Sequence, residues 1–283
     1  MIKIENLDFS YPRKRQVYKS LNLNIEEGSI CGLLGLNGAG KTTLLNLVAG
    51  FLIPQEGTCS VFGYQSSKRK PEMLQEIFLV GDTSEFPNMS VKEFCDLYAG
   101  FYTRFDITLF EHCISEFGLT EESSLKRLSF GDKRKVILSF ALATKCRLLM
   151  FDEPTNGLDI PSKAAFRKLV ASTLSEDQTI IMATHQVRDL ANLMDRIIIE
   201  HRGKILINET VERIGEKLAF GLAADQITKG DLLFKADSFN PNETVSINGT
   251  HQQGQIDIEL LFSAAIAHPI ELSRIFTSQN ESR

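Results

Sequence analysis

Near the N-terminus, apolar positions recur at every second residue. Residues 2–9 and 22–25 alternate in this way and read as strands, with the polar stretch 12–19 between them. Residues 29–34 form a short, mainly apolar run, the pattern of a buried strand. Residues 43–52 read as a helix ended by Pro54, and 57–62 as a further strand. From about Ser90 to Thr144 the period lengthens to that of a helix. Val91, Phe94, Leu97 and Tyr98 lie on one stripe, and Ser90 with Glu93 forms a capping box ahead of it. Leu109, Cys113, Ile114 and Phe117 make a second stripe, stopped by Gly118, and residues 133–143 a third. The aromatic series Phe94, Tyr98, Phe101, Tyr102 and Phe105 follows helical spacing and reads as core rather than as a base-stacking platform.

Apolar runs of strand length return at 148–151, 179–183, 196–200 and 204–207, with helical stretches separating the first three. Alternating strands and helices imply a mainly parallel α/β sheet. After about Ile214 the character changes. Residues 218–222, 232–235 and 244–247 read as short strands, 256–267 as a helix, and Pro269 starts another. This tail is a small α+β appendage without a catalytic motif. Internal repeats and low-complexity segments are absent.

Composition narrows the class without naming it. A hydrophobic share of 43% and a charged share of 24% over 283 residues suit a globular chain with ample core. A net charge of −5 and a pI of about 5.7 argue against binding nucleic acid by overall field. The five cysteines show no C-x-x-C spacing, so reduced thiols are expected, with Cys31 and Cys146 as small core residues. The strand-like start is unlike a signal peptide, and no apolar run reaches the ~20 residues that span a bilayer. A soluble, cytoplasmic chain is expected, reaching a membrane only through a partner. The basic run Lys68-Arg69-Lys70 reads as a solvated turn.

The chemistry begins at Gly35-Leu36-Asn37-Gly38-Ala39-Gly40-Lys41-Thr42, a P-loop between a strand and a helix. Its glycines let backbone N–H groups turn inward around phosphate oxygens. Lys41 supplies a point charge for the β- and γ-phosphates, the Thr42 hydroxyl can ligate Mg²⁺, and the helix presents its positive end. Downstream, Arg147-Leu148-Leu149-Met150-Phe151-Asp152-Glu153 brings two carboxylates to the end of a hydrophobic strand, the Walker B arrangement. Asp152 would hold Mg²⁺ and Glu153 would act as general base toward water.

Between these motifs lies Leu128-Ser129-Phe130-Gly131-Asp132, opening a helix. Here the chain resembles the ATP-binding cassette (ABC) family, whose signature is Leu-Ser-Gly-Gly-Gln. Leu128, Ser129 and Gly131 match; Phe130 replaces the first glycine and Asp132 the glutamine. Further matches follow in family order. Pro154-Thr155-Asn156-Gly157-Leu158-Asp159 looks like the D-loop, His185 after Ala183-Thr184 like the switch histidine, and Tyr11 before Pro12 like the adenine-stacking aromatic. Where the family carries a glutamine, this chain has Asp82 after Gly81, with Glu85 as the alternative in a shifted register. A carboxylate there can still ligate Mg²⁺.

The resemblance covers residues 1–215. It implies a P-loop NTPase fold with a mainly parallel sheet, an antiparallel β subdomain and a helical subdomain at about 83–145; residues 216–283 are the appendage. It implies ATP and Mg²⁺ as cofactors, with Glu153, His185 and Lys41 catalytic. The nucleotide contacts it implies are Tyr11, Gly35, Asn37, Gly38, Ala39, Gly40, Lys41, Thr42, Thr43, Ser129, Gly131 and Asp159, and the metal ligands Thr42, Asp152 and Asp82. Ser129 and Gly131 would reach the ATP of a second ABC subunit in a head-to-tail dimer, read as a homodimer. Separate integral membrane transporter subunits are the other expected partner, met through the region 82–105, with no nucleic acid. The function implied is the ATP-hydrolysing subunit of an ABC transporter. A soluble ABC ATPase acting on ribosome or DNA is the alternative, although the charged linker, coiled coils or zinc pairs of such relatives are missing. A cassette that binds ATP without turnover is a third reading, against which Glu153 argues.

Overall fold

The computed structural model describes residues 1–12, 16–81, 86–222, 232–235, 243–248 and 256–277. β1 (Ile2–Ser10) and β2 (Gln16–Ile25) pair antiparallel, with Ile2 opposite Ile25 and Ile4 opposite Leu23. Residues 16–19 belong to β2 rather than to a polar connection, because Tyr18 turns fully inward. β3 (Ile30–Leu34) is buried at every position, as in a strand covered on both faces. α1 (Lys41–Val48) starts on the P-loop lysine. It stops short of Leu52, because Gly50 at φ 73 breaks it, so Pro54 is not its terminator. β4 (Glu56–Val61) and β5 (Tyr64–Gln65) return beside β1, giving an antiparallel sheet in the order β2-β1-β4-β5. At the basic turn, Arg69 lies over the Phe51 ring and Lys70 over that of Tyr64.

α2 (Pro71–Leu74) leads into β6 (Ile77–Val80). A helical layer follows. α3 (Val91–Tyr98) carries the capping box of Ser90 and Glu93; α4 (Ile107–Glu116) is capped by Asp106, and α5 (Phe130–Ala143) by Ser129. Phe140 is the hub of this layer. Its ring lies 4.9 Å from Phe105, 5.2 Å from Phe94, 5.7 Å from Phe78, 6.0 Å from Tyr102 and 6.1 Å from Phe110. Phe94, Tyr102 and Phe105 of the aromatic series pack into this core, whereas Tyr98 and Phe101 are exposed, Phe101 at 63%.

The chain then completes a central sheet with β7 (Leu148–Asp152), α6 (Ile160–Thr173), β8 (Thr179–Thr184), β9 (Arg196–His201) and β10 (Lys204–Thr210). The strand order is β10-β9-β3-β8-β7-β6; only β10 runs antiparallel to its neighbour. Between β8 and β9 the expected helix is two 3₁₀ turns, pinned by Lys163–Asp189 at 2.7 Å and by Val187 and Leu190 tucked into the core. α7 (Val211–Lys217), β11 (Leu218–Leu222), β12 (Leu232–Lys235), β13 (Glu243–Ile247), α8 (Ile258–Ala267) and α9 (Pro269–Thr277) form the tail, with a sheet in the order β11-β13-β12.

Alternation along the central strands sorts the core into two faces. Cys31, Leu33, Leu148 and Met150 pack toward β1, β2 and α1. Leu34, Leu149, Phe151 and Met182 pack toward α6 and the tail, whose Leu218, Val245, Leu261, Leu272 and Phe276 belong to the same continuous core. β3, β8 and β7 are adjacent and parallel, with Leu34 level with Thr184 and Asp152 with Ala183. The segments that follow them therefore emerge side by side at one edge, where ligands bind in open α/β sheets.

Candidate nucleotide-binding site

The P-loop leaves β3 and closes on α1. Gly38 (φ 77) and Gly40 (φ 137) take conformations that other residues adopt at a cost, and the space above the Gly38 Cα is open. Ala39 N–H donates to Leu36 O at 3.0 Å, which sets the loop's curl. Lys41 is buried, and its Nζ donates to Gly35 O at 2.7 Å. Tyr11 lies edge-on to Phe9, and its hydroxyl is 3.2 Å from Thr43 Oγ1. β1 and α1 thus bring the two flanks of the loop together.

At the end of β7, Asp152 is 5% exposed and accepts a hydrogen bond from Thr42 Oγ1 at 2.6 Å. Burial pushes its carboxyl up from the usual carboxylate range, against the opposing pull of the Thr42 bond. A carboxylate short of water beside a hydroxyl is a hard-oxygen pair that a divalent cation would relieve. Mg²⁺ fits this set, since it binds through one or two carboxylates together with phosphates. Among the described residues there is no group of three or more His, Cys, Asp or Glu that would suit a stand-alone metal site.

Glu153 sits at φ 49, in the left-handed region that strains a non-glycine residue. Its carboxylate accepts from Thr184 Oγ1 at 3.0 Å and from His185 N–H at 3.1 Å, and lies 2.6 Å from His185 Nδ1. β7 and β8 thus bring the expected base and the expected switch histidine into direct contact.

Ser129, Gly131 and Asp159 form a second group. Ser129 caps α5, accepting from Asp132 N–H at 3.1 Å and donating to its carboxylate at 2.8 Å. Asp159 caps α6, accepting from Ser162 N–H at 2.9 Å. A Cβ on Gly131 would lie 2.5 Å from Gly157 O, so the start of α5 rests directly on the Asn156–Gly157 turn. The Phe130 ring covers Gly157 and is 47% exposed, which is how the loop admits a phenylalanine there. Asp82 and Glu85 lie outside the described residues.

Sequence reasoning missed the residue that joins the two groups. Arg134, buried on α5, donates to Gly81 O, to Asp152 O and, at 2.9 Å, to Glu153 O. It was hidden in the basic stretch Lys133-Arg134-Lys135; its one signal was its place on the inward stripe with Leu138.

Strand order, P-loop, paired carboxylates and signature helix define a P-loop nucleotide-binding fold. Residues 18–156 match the family model described as ABC transporter. The chain is 31% identical to the ABC transporter ATP-binding protein NatA of Bacillus subtilis over 226 residues, 76% of this chain and 92% of the relative. It is also 31% identical to the bacitracin transport ATP-binding protein BcrA of Bacillus licheniformis, over 73% of this chain and 68% of the relative. A solved dimeric post-hydrolysis state of the ATP-binding cassette MJ0796, bound to ADP and Pi, has the same fold, with a TM-score of 0.63 at 23% identity over 75% of this chain and 99% of that one. The chain belongs to the ABC transporter family, as one of its ATP-binding subunits. Among the described residues no helix is long and apolar enough to cross a membrane.

Proposed function

We propose that this subunit hydrolyses ATP to drive transport through separate integral membrane subunits, as one half of a homodimer of cassettes. The observation that carries the reading is the convergence of Lys41, Thr42, Asp152, Glu153 and His185 behind three adjacent parallel strands. Lys41 exchanges the Gly35 carbonyl for the β- and γ-phosphates, while Gly35, Asn37, Gly38, Ala39, Gly40, Thr42 and Thr43 surround the phosphate chain. Tyr11 stacks on adenine. Thr42 and Asp152 hold Mg²⁺, with Asp82 as a further ligand. When bound, Mg²⁺ neutralises charge that builds on the phosphates. Glu153 takes the proton of the attacking water, and His185 orients that carboxylate and senses the γ-phosphate.

Ser129 and Gly131 close over the ATP held by the second subunit, with Asp159 at the same interface. The dimeric state of the like-folded cassette supports this arrangement. The region 82–105 contacts the membrane subunits, a role supported by the exposed Leu97 and Phe101 on α3 and the turn after it. This holds the protein at the cytoplasmic face of the membrane. Residues 1–215 are the cassette and 216–283 an appended unit. The transport roles printed in the relatives' names favour this reading over action on ribosome or DNA.

Glu153→Gln is the test. Loss of a general base lowers turnover by about 10²–10⁴-fold. Phosphate release should fall by that amount while MgATP still converts monomer to dimer on size exclusion. Wild-type turnover in this variant, or failure to dimerise with MgATP, would sink the proposed roles.

A further inference from the structure

β9 runs Ile197, Ile198, Ile199 and then places Glu200 in the interior at 0% exposure. The hydroxyl of fully buried Tyr18 on β2 is the one hydrogen-bonding side chain that acts on this carboxyl, and neither group has another such partner among the described residues. The two converge on one spot. A Cβ at Gly40 would lie 2.5 Å from Tyr18 Oη and 2.6 Å from Glu200 Oε1. The backbone carbonyl of Glu200 stands 3.0 Å from the Cβ position of Gly35, at the other end of the loop. Glu200 is therefore the floor beneath residues 35–40, facing the side of the loop opposite the phosphates.

The groups that act on this carboxyl are Tyr18 from β2 and Lys41 from α1, and Tyr18 in turn feels Tyr11 from beyond the end of β1. The Lys41 ammonium is engaged with the Gly35 and Leu36 carbonyls, and among the described residues no cation pairs directly with Glu200. Burying a carboxylate whose one partner is a neutral hydroxyl favours its neutral form. Burial accordingly pushes the Glu200 carboxyl up to about 7, with the Tyr18 hydroxyl and then Lys41 pulling it back. Tyr18 itself is held as a neutral phenol by burial and by Glu200.

We propose that Glu200, flanked by Tyr18, is a proton-exchanging floor of the P-loop: entry of a nucleotide's phosphate chain drives a proton onto this carboxyl. The inference rests on the reading of residues 35–42 as the phosphate site. Phosphates bring negative charge to the other side of a thin loop. They also neutralise Lys41, the cation that favours the ionised carboxylate. Both changes favour the neutral acid. Nucleotide affinity then falls as pH rises above 7, by up to about tenfold per pH unit.

Calorimetric titration of the full chain with MgADP at pH 8, in buffers of different ionisation enthalpy, counts the protons exchanged. The wild type should take up between about half and one proton per nucleotide. Glu200→Gln should bind MgADP with at least about half a proton less. Equal uptake by the two proteins overturns the proposal. Should the variant not fold, infrared difference spectra of the wild type decide: MgADP must increase the protonated-carboxyl band, and an unchanged band overturns the proposal. A wild type that gives no binding heat at all removes the phosphate-site reading, and this inference with it.

Discussion

Replacing Arg134 with leucine removes the tie between the signature helix and the carboxylate strand. Its guanidinium donates to the carbonyls of Gly81, Asp152 and Glu153 from a site only 5% exposed. A hydrogen bond from a charged donor contributes ~1.5–3 kcal/mol. Removing the charge returns several kcal/mol of desolvation, so three lost bonds leave a net destabilisation of about 2–4 kcal/mol. The rate effect has a separate origin. Glu153 sits at φ 49, a conformation costing on the order of 1–3 kcal/mol that the surroundings must hold. Without Arg134 its backbone relaxes and the carboxylate drifts from its alignment with His185. A loss of ~1.4–2.8 kcal/mol in alignment lowers kcat by about 10–100-fold. KM for ATP should stay within about threefold, because the three carbonyls that Arg134 binds lie outside the P-loop. Arg134→Lys, which reaches fewer carbonyls, should fall between. Urea unfolding and steady-state phosphate release on the three proteins measure both effects. Destabilised Arg134→Leu with wild-type kcat would refute the alignment argument, and unchanged stability would refute the bonding argument.

Two further outcomes concern stability and thiols. Glu200 keeps its proton in the folded state up to about pH 7, whereas the unfolded chain releases it near 4.5. The folded state binds more protons between these values, so stability falls as pH rises through that window. Urea midpoints at pH 5 and 8 should therefore differ less in Glu200→Gln than in the wild type; parallel shifts in both proteins would contradict this. All five cysteines are buried. Burial pushes Cys31 and Cys59 up to about 11, and Cys95, Cys113 and Cys146 up to about 12. Ellman's reagent at pH 8 should find almost no thiol in the native protein and five in denaturant. Rapid native labelling of any of them would show that the core opens there.

The parts legible in the sequence are those whose chemistry is local. The P-loop needs glycine, lysine and threonine at fixed spacing, and β7 needs an apolar run ending in two carboxylates, so both stand out in one dimension. His185 is read from its neighbours Ala183 and Thr184. Arg134 and Glu200 were not legible, because their meaning depends on what a distant segment places around them. A glutamate after three isoleucines reads as a strand running out into water. It is the pairing of Glu200 with Ile205 on β10, and the inward turn of Tyr18 on β2, that enclose it. The end of α1 and the two turns between β8 and β9 were misread for a related reason. Helical periodicity continues past Val48, but Gly50 and the buried Val187 and Leu190 settle those boundaries through packing.

The core shared by the central sheet and the tail bears on how the chain comes off the ribosome. Translation delivers the P-loop before Leu261, Leu272 and Phe276, yet all three of these pack in one cluster with Leu34, Leu149 and Phe151. Until Phe276 has left the exit tunnel, the sheet face behind the carboxylate strand is covered by α6 but not by the tail. During synthesis the nascent chain carries a complete set of nucleotide-binding motifs on a half-covered scaffold, a state exposed to aggregation and to chaperones. Assembly of the ATP site is in this way tied to completion of the tail.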